Sequence, residues 1–331
     1  MISVLPASVR MTSRGILVKE NEMQVHLDPS RGMSKGFSFV SHAHMDHLHN
    51  QNGGLILTTK LTSEIAKLRG YCIGNFVEEF ENFSMVNAGH ILGARGLLFG
   101  DDIFYTGDIC TRDRGFLKGA KVPRCKTLIT ECTFGTPEFI FPSIDETVKK
   151  VNRIISEMYS KGMPVILHGY ELGKAQTLSY LFGHWEPLYY HDSVKKINDL
   201  HRNFDINLKD VMGHTEAEKN GLLDKKPWVM IAPNMSGKSH FVNYMKSKYG
   251  AVTIGFSGWA QSSRYSFARQ HDYSMVLSDH CDYNDLITLV KQAKPEKIYT
   301  VHGFVDEFAN DLVKMGFNAQ PLREASLDDY L

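Results

Sequence analysis

The chain has no Cys-x-x-Cys pair. Its five cysteines, Cys72, Cys110, Cys125, Cys132 and Cys281, are odd in number and scattered over 331 residues. That excludes a disulfide framework and a zinc ribbon, and it fits reduced, mostly buried thiols. No run of about 18 apolar residues occurs, so no membrane-spanning helix is expected. The first residues, MISVLPASVRMTSRG, lack the apolar stretch of a secretory signal. Both absences predict a cytoplasmic protein with no membrane association. Net charge is missing too: 37 Lys+Arg offset 37 Asp+Glu. This argues against nucleic-acid binding by bulk charge, though not against a local basic surface. Low-complexity linkers and internal repeats are absent. What the chain has in excess is histidine, 15 residues against 3 tryptophans, and neutral imidazole is the commonest metal ligand.

Up to about residue 139 the sequence runs in short apolar segments broken by Gly, Asp and Asn. GILVKE, MQVHLD, FSFVSH, LILTTK, SMVNAG, GLLFG, IFYTGD and TLITEC read as strands. One helix is expected among them, near TSEIAKLRG, capped by Thr62 or Ser63. From 140 to 270 longer helices alternate with single strands. The helix from Ser143 carries Val148, Val151, Ile154, Ile155 and Met158 on one face. This is the rhythm of a βαβ-type parallel sheet. From 271 to 331 the first pattern returns. The expectation is therefore a host domain in two parts, 1–139 and 271–331, with a domain inserted at 140–270.

The strongest chemical signal follows the strand FSFV: Ser41-His42-Ala43-His44-Met45-Asp46-His47. Four ligand-type side chains fall within six residues. In a loop at a strand end, His42 and His44 can converge on one ion while Asp46 and His47 reach a second. Imidazole and carboxylate suit zinc and similar borderline ions. His90, in VNAGHILGA, sits at another strand end, Asp108 in IFYTGD at a third, and His302 in IYTVHG at a fourth. Together they make seven ligands for two metals.

The pattern H-x-H-x-D-H, then GH, then GD, resembles the metallo-β-lactamase fold, a four-layer αββα sandwich. NAGHILGA, YTGD, TECTFG with Glu131, LSDHCD with His280 and VHG with His302 resemble motifs of its nuclease branch, the β-CASP proteins. HLDPSRG, with Asp28, matches the first acidic motif. Within that branch, TLITECTFGTPEFIFP, GYELGKAQTLSYLF, FSGWA, VLSDHCDYNDL and TVHGF are similar to ligase-associated DNA exonucleases. Archaeal relatives are described as related to messenger-RNA 3′-end processing factors. The resemblance runs the length of the chain. It implies that His42, His44 and His90 hold one divalent metal, that Asp46, His47 and His302 hold a second, and that Asp108 bridges. It also implies that Asp28 orients a ligating imidazole and that Glu131 positions His280. Zinc is the expected ion, with manganese as the alternative.

A two-metal phosphodiesterase needs an activated water, charge neutralisation and a proton for the leaving oxygen. Asp46 is the candidate to accept or orient the water's proton, and His280 is the candidate acid. The expected function is a DNA exonuclease in repair or end processing, with 5′→3′ digestion by analogy with repair relatives. Association with a DNA ligase or other repair proteins is implied. An RNA nuclease of the 3′-end processing type is the alternative, since His at the position of His302 is typical of RNA-acting members. A small-molecule metallo-hydrolase is the third reading. The zero net charge splits: residues 140–270 hold 17 Lys+Arg against 12 Asp+Glu, and the remainder 20 against 25. A basic insert can track a phosphate backbone. Lys174, Ser236, Gly237 and Lys238 are the candidate contacts, the last three because a loop of small residues entering a helix offers N–H groups to phosphate. Tyr170, Trp259 and Tyr265 are candidate base-stacking residues. APNMSGKS is not a P-loop, because Ala232 replaces its first glycine.

Overall fold

The computed structural model describes residues 8–20, 23–32, 35–50, 53–262, 264 and 268–324. Tyr265 lies outside the described residues. The chain divides into two compact units. The first comprises residues 1–112, 119–138 and 280–331, and the second 113–118 and 139–279. Segments 113–118 and 271–279 thus belong with the second unit, beyond the 140–270 expected from the change of rhythm.

The first unit contains two six-stranded sheets. One runs β1 (Ser8–Thr12), β2 (Gly15–Glu20), β3 (Met23–Leu27), β4 (Phe37–Phe39), β5 (Leu55–Leu57) and β6 (Phe76–Val77) in spatial order. The other runs β17 (Ala319–Pro321), β16 (Lys297–Gly303), β10 (Thr127–Cys132), β9 (Ile103–Tyr105), β8 (Arg95–Phe99) and β7 (Phe83–Asn87). The period-2 alternation of the strands assigns their two faces. On β9, Ile103 and Tyr105 join Val25, Leu27, Phe39 and Leu57 of the first sheet in one buried cluster. Phe104 points the other way, with Leu128 and Ile298, into a cluster with Leu286, Val290, Phe308 and Leu312. Those last four come from the helices Tyr283–Ala293 and Val305–Lys314. Sheet faces sheet, and these helices cover the outer face of the second sheet, which fits the expected αββα sandwich.

The helix Lys60–Leu68 starts earlier than its sequence suggests. Thr59, not Thr62 or Ser63, is its cap, accepting from the Thr62 N–H at 3.0 Å. Thr62 is fully buried in the first turn.

The second unit is a five-stranded, all-parallel sheet in the order β12 (Leu188–Tyr190), β13 (Val229–Pro233), β11 (Val165–Gly169), β14 (Val252–Phe256), β15 (Tyr273–Met275). Val165, Leu167, Val229, Ile231 and Ile254 pack on the side of the helix Ile144–Ser160. Ile166, Met230 and Ala232 pack on the opposite side with Met245 and Tyr249 of the helix His240–Tyr249. Both faces are covered, which is why these strands read as continuous apolar runs. Ser143 and Glu146 form a reciprocal capping box at the start of Ile144–Ser160, worth about 1 kcal/mol. The short helix His214–Lys219 was not expected, because six residues carry too little periodicity to read. Among the described residues no helix is long and apolar enough to cross a membrane.

Candidate metal centre

The centre is assembled at strand ends of the first unit. His42, His44, His90 and Asp108 each present one ligand atom, and these four atoms lie within 4.8 Å of one another. Asp108 faces two ways. Its Oδ2 is 3.5 Å from His42 Nε2 and 3.6 Å from His90 Nε2, while its Oδ1 is 3.5 Å from His47 Nε2. Gly107, at φ +55°, makes the approach possible: a Cβ there would lie 2.8 Å from the Cβ of Ser41.

One carboxylate sets the tautomers. Asp28 Oδ2 accepts from His47 Nδ1 at 2.7 Å, from the Ser41 hydroxyl at 2.6 Å and from the Tyr105 hydroxyl at 2.8 Å; Oδ1 accepts from the Ser41 N–H at 2.7 Å. An ionised carboxylate only accepts, so His47 must carry its proton on Nδ1. The Ser41 hydroxyl spends its proton on Asp28 and so accepts from His42 Nδ1, 2.8 Å away. Both imidazoles are left with a bare lone pair on Nε2. His42 Nε2 is buried with no hydrogen-bond partner, a costly state unless a cation takes the lone pair. His90 Nε2 and His44 Nδ1 approach to 3.0 Å. These donor atoms fit a divalent metal.

The electrostatics agree. Burial would lower His47, yet Asp108 and Asp28 push it up to about 10, so the carboxylates here call for positive charge. His42 moves the other way, held well below its ordinary value by burial and by the neighbouring imidazoles His47, His90 and His44. Burial would raise the Asp28 carboxyl, and His47 and Ser41 bring it down instead.

Asp46 and His302 stand outside this compact set. Asp46 turns its carboxylate to solvent, 79% exposed, with Oδ2 3.8 Å from His47 Nε2. The His302 ring lies 5.5 Å from that of His47. His302 owes its place to a bulge: Glu131 pairs with Val301 and Cys132 with Gly303, leaving His302 as the extra residue at φ 53°. Bulges re-aim side chains in this way. The following Gly303, at φ +94°, is required, since a Cβ would meet the Cys132 carbonyl oxygen at 2.4 Å.

Beside the ligands, His280 Nδ1 donates to Glu131 Oε1 at 2.8 Å. Glu131 is 1% exposed and also accepts from the Ile109 N–H at 2.8 Å and the Thr133 N–H at 3.2 Å. Burial would raise its carboxyl; His280, Thr133 and Ile109 hold it below the ordinary value. The His280 ring leans against that of His90, with centroids 4.5 Å apart and planes at 54°. Ser41, Tyr105, Thr133 and the Ile109 N–H were not singled out in the sequence. Only Ser41 and Thr133 carried a signal, as hydroxyl residues beside the histidine-rich loop and beside Glu131.

The candidate substrate contacts of the second unit behave differently. Lys174 is 2% exposed and its ammonium is 2.7 Å from Asp279 Oδ2; Arg114, fully buried, stands 3.8 Å from Asp279 Oδ1. Lys174 is therefore committed to an internal ion pair, which corrects its assignment to a nucleic-acid contact. The loop 236–238 also spends its donors internally: Gly237 N–H bonds Arg269 O at 2.7 Å, and Lys238 N–H bonds Ser236 Oγ at 3.2 Å. That removes the expected phosphate cradle, although the Lys238 side chain remains exposed. Trp259 packs edge-on against Phe139 at 5.2 Å, and Tyr170 is 45% exposed.

Residues 272–320 match the family model described as the Zn-dependent metallo-hydrolase RNA specificity domain. A probable DNA ligase of Opitutus terrae is 29% identical over 312 residues, covering 87% of this chain and 29% of that protein. The transcription termination factor FttA of Methanocaldococcus jannaschii is 26% identical, covering 73% of this chain and 48% of that one. An RNase J-like protein of the same organism is 23% identical, with 80% of each chain covered. The chain thus spans under a third and about half of the first two relatives. A crystal structure of a protein of unknown function from Enterococcus faecalis V583 superposes with a TM-score of 0.63 at 15% identity over 96% of both chains, a likeness of fold.

Proposed function

Since the chain belongs to the β-CASP branch of the metallo-β-lactamase-fold hydrolases, we propose that it is a two-metal phosphodiesterase that digests DNA strands from an end. The observation that carries the reading is Asp108, with one oxygen toward His42 and His90 and the other toward His47. On this reading His42, His44, His90 and Asp108 hold one divalent ion, and His47, Asp108, Asp46 and His302 hold the other, zinc first and manganese second. Such a pair supplies an activated water and neutralises charge on the phosphoryl oxygens.

The chain's own residues do the rest. Asp28 orients His47 directly and His42 through Ser41, keeping both Nε2 lone pairs aimed inward. Asp46, at the solvent rim, is placed to take up the proton that a water releases. With His280 Nδ1 donating to Glu131, His280 Nε2 is the atom that can hold a proton for the leaving oxygen and return it. Glu131 stabilises the charged imidazole while the proton is held.

DNA is preferred because the match to the protein named a probable DNA ligase spans 87% of this chain. In that protein the matching segment shares a polypeptide with other sequence, which supports association with a ligase or other repair proteins. RNA is the second reading. It is favoured by the match of residues 272–320, which include His280 and His302, to an RNA specificity domain. The deciding experiment incubates the purified chain with Zn²⁺ or Mn²⁺ and with single- and double-stranded DNA and matched RNA, labelled at either end. Shortening of DNA from the 5′ end is expected. Preferential cleavage of RNA would replace the first reading with the second, and turnover of a lactam or thioester alone would remove both.

A further inference from the structure

On the second unit, the turn before β12 meets the exposed face of the helix Ile144–Ser160. Between them lies a shallow, open depression of about 480 Å³ lined by Lys149, Asn152, Arg153, Ser156, His184 and Trp185. The four helix residues are spaced i, i+3, i+4 and i+7, so they share one face. Lys149, Arg153, Ser156 and His184 are exposed, and Trp185 is half-buried. Trp185 is fixed: its Nε1–H donates to Asn152 Oδ1 at 2.8 Å, and its ring packs on Tyr159 at 4.9 Å. His184 lies 5.6 Å from the same indole. No carboxylate lines the cavity. Glu157, the next acid along the helix, is held by Lys161 at 2.6 Å. Among the described residues neither Lys149 nor Arg153 makes an ion pair.

We infer that this groove binds a segment of single-stranded nucleic acid, with Lys149 and Arg153 on successive phosphates and an unpaired base against Trp185 and His184. The inference rests on the reading of the chain as a nucleic-acid enzyme and adds a binding surface apart from the metal ligands. Two cations with no acid between them complement a phosphodiester; Glu146, one turn before Lys149, attracts that lysine but is held at the Ser143 cap. A rigid aromatic plane beside them gives a base a face to stack on, whatever its identity. Both rings of such a site are available only to an unpaired strand. A second cavity, in the first unit, has the opposite character, with Glu78, Glu79 and Glu81 on its walls, and would repel the same ligand.

The test uses the full metal-loaded chain and a fluorescein-labelled 20-nucleotide oligothymidylate, protected from cleavage by phosphorothioate linkages, with anisotropy read across a salt series. Lys149→Ala/Arg153→Ala should weaken binding by about tenfold and reduce the slope of log K against log salt by roughly 1.4, two phosphates at about 0.7 each. Lys219→Ala/Lys225→Ala, a charge-matched pair elsewhere on the unit, should leave the slope unchanged. Unaltered affinity and slope in the first variant would overturn the groove while leaving the nuclease reading intact. Equal loss in both variants would reduce the effect to bulk charge and overturn it too. Equally tight binding of poly-glutamate would overturn the choice of occupant. No binding of any strand by the unaltered chain would overturn the groove together with the function it rests on.

Discussion

His280 donates a hydrogen bond from Nδ1 to Oε1 of Glu131 across 2.8 Å, although 149 residues separate them in sequence. The acceptor is a buried carboxylate that also holds the N–H of Ile109, the residue after Asp108. The proposed proton donor and the proposed bridging ligand are thus tied to one side chain.

Glu131→Gln keeps the shape and removes the charge. It should lower kcat by about 10²-fold, the range of a lost acid–base partner, with metal content unchanged. His280→Ala should do the same, and the double variant should be little worse than either single, because the pair acts as a unit. Rate and metal content, the latter by plasma mass spectrometry, are the measurements. Loss of metal in His280→Ala would move His280 to the ligand set.

Asp108→Asn should empty the centre of metal and abolish hydrolysis, since both halves of the histidine set face this carboxylate. Asp28→Asn touches no substrate and should weaken metal affinity by about 10- to 100-fold, as loss of an orienting partner does. Competition with a zinc chelator reads both. Retention of full stoichiometry in Asp108→Asn would contradict the bridging geometry.

Lys174→Met should destabilise the second unit by about 3–5 kcal/mol, because it removes one partner of the buried ion pair with Asp279. Wherever the variant is still folded, its salt slope for oligonucleotide binding should match the unaltered chain. All three tryptophans, Trp185, Trp228 and Trp259, lie in this unit, so indole fluorescence in urea follows it alone. A normal unfolding midpoint with a reduced slope would restore Lys174 as a phosphate contact.

The second unit should lose stability in mild acid. Burial lowers His168 to about 3 and His201 to about 4, and burial with a neighbouring charge lowers His191 and His271 to about 4. Unfolded, all four take up a proton near 6.5, so below that pH the unfolded chain binds more protons than the folded one. The contribution is complete above pH 6.5 and is lost as pH falls toward 4. His168→Gln should flatten the decline by up to about 1.4 kcal/mol per pH unit. Urea midpoints by indole fluorescence at pH 7, 6, 5 and 4 test this, and a flat profile would count against it.

The sequence was most informative where chemistry is crowded into a short span. Four ligand-type side chains in six residues announced the loop at His42, and the short apolar runs IFYTGD and TLITEC announced strands. It was least informative about where donors are spent. Lys174 at a helix start looked like a phosphate contact, yet Asp279, 105 residues away, had already claimed it. Gly237 looked like part of a cradle, yet the Arg269 carbonyl fills that role. Tertiary partners of this kind leave no local pattern. The bulge at His302 is similar: the motif VHG marked the residue, but only pairing against Glu131 reveals that the strand carries one residue too many there.

Asp28 directly follows β3 of the first sheet, and Tyr105, which donates to it, belongs to β9 in the second. The same carboxylate that aims His42 and His47 therefore fastens the two halves of the sandwich to each other. The centre is not a loop feature mounted on a finished scaffold. The directions of His42 and His47 depend on a carboxylate that both sheets hold. Unfolding of the sandwich should consequently scatter the imidazoles in the same cooperative event, while removal of metal alone leaves the packed sheets in place.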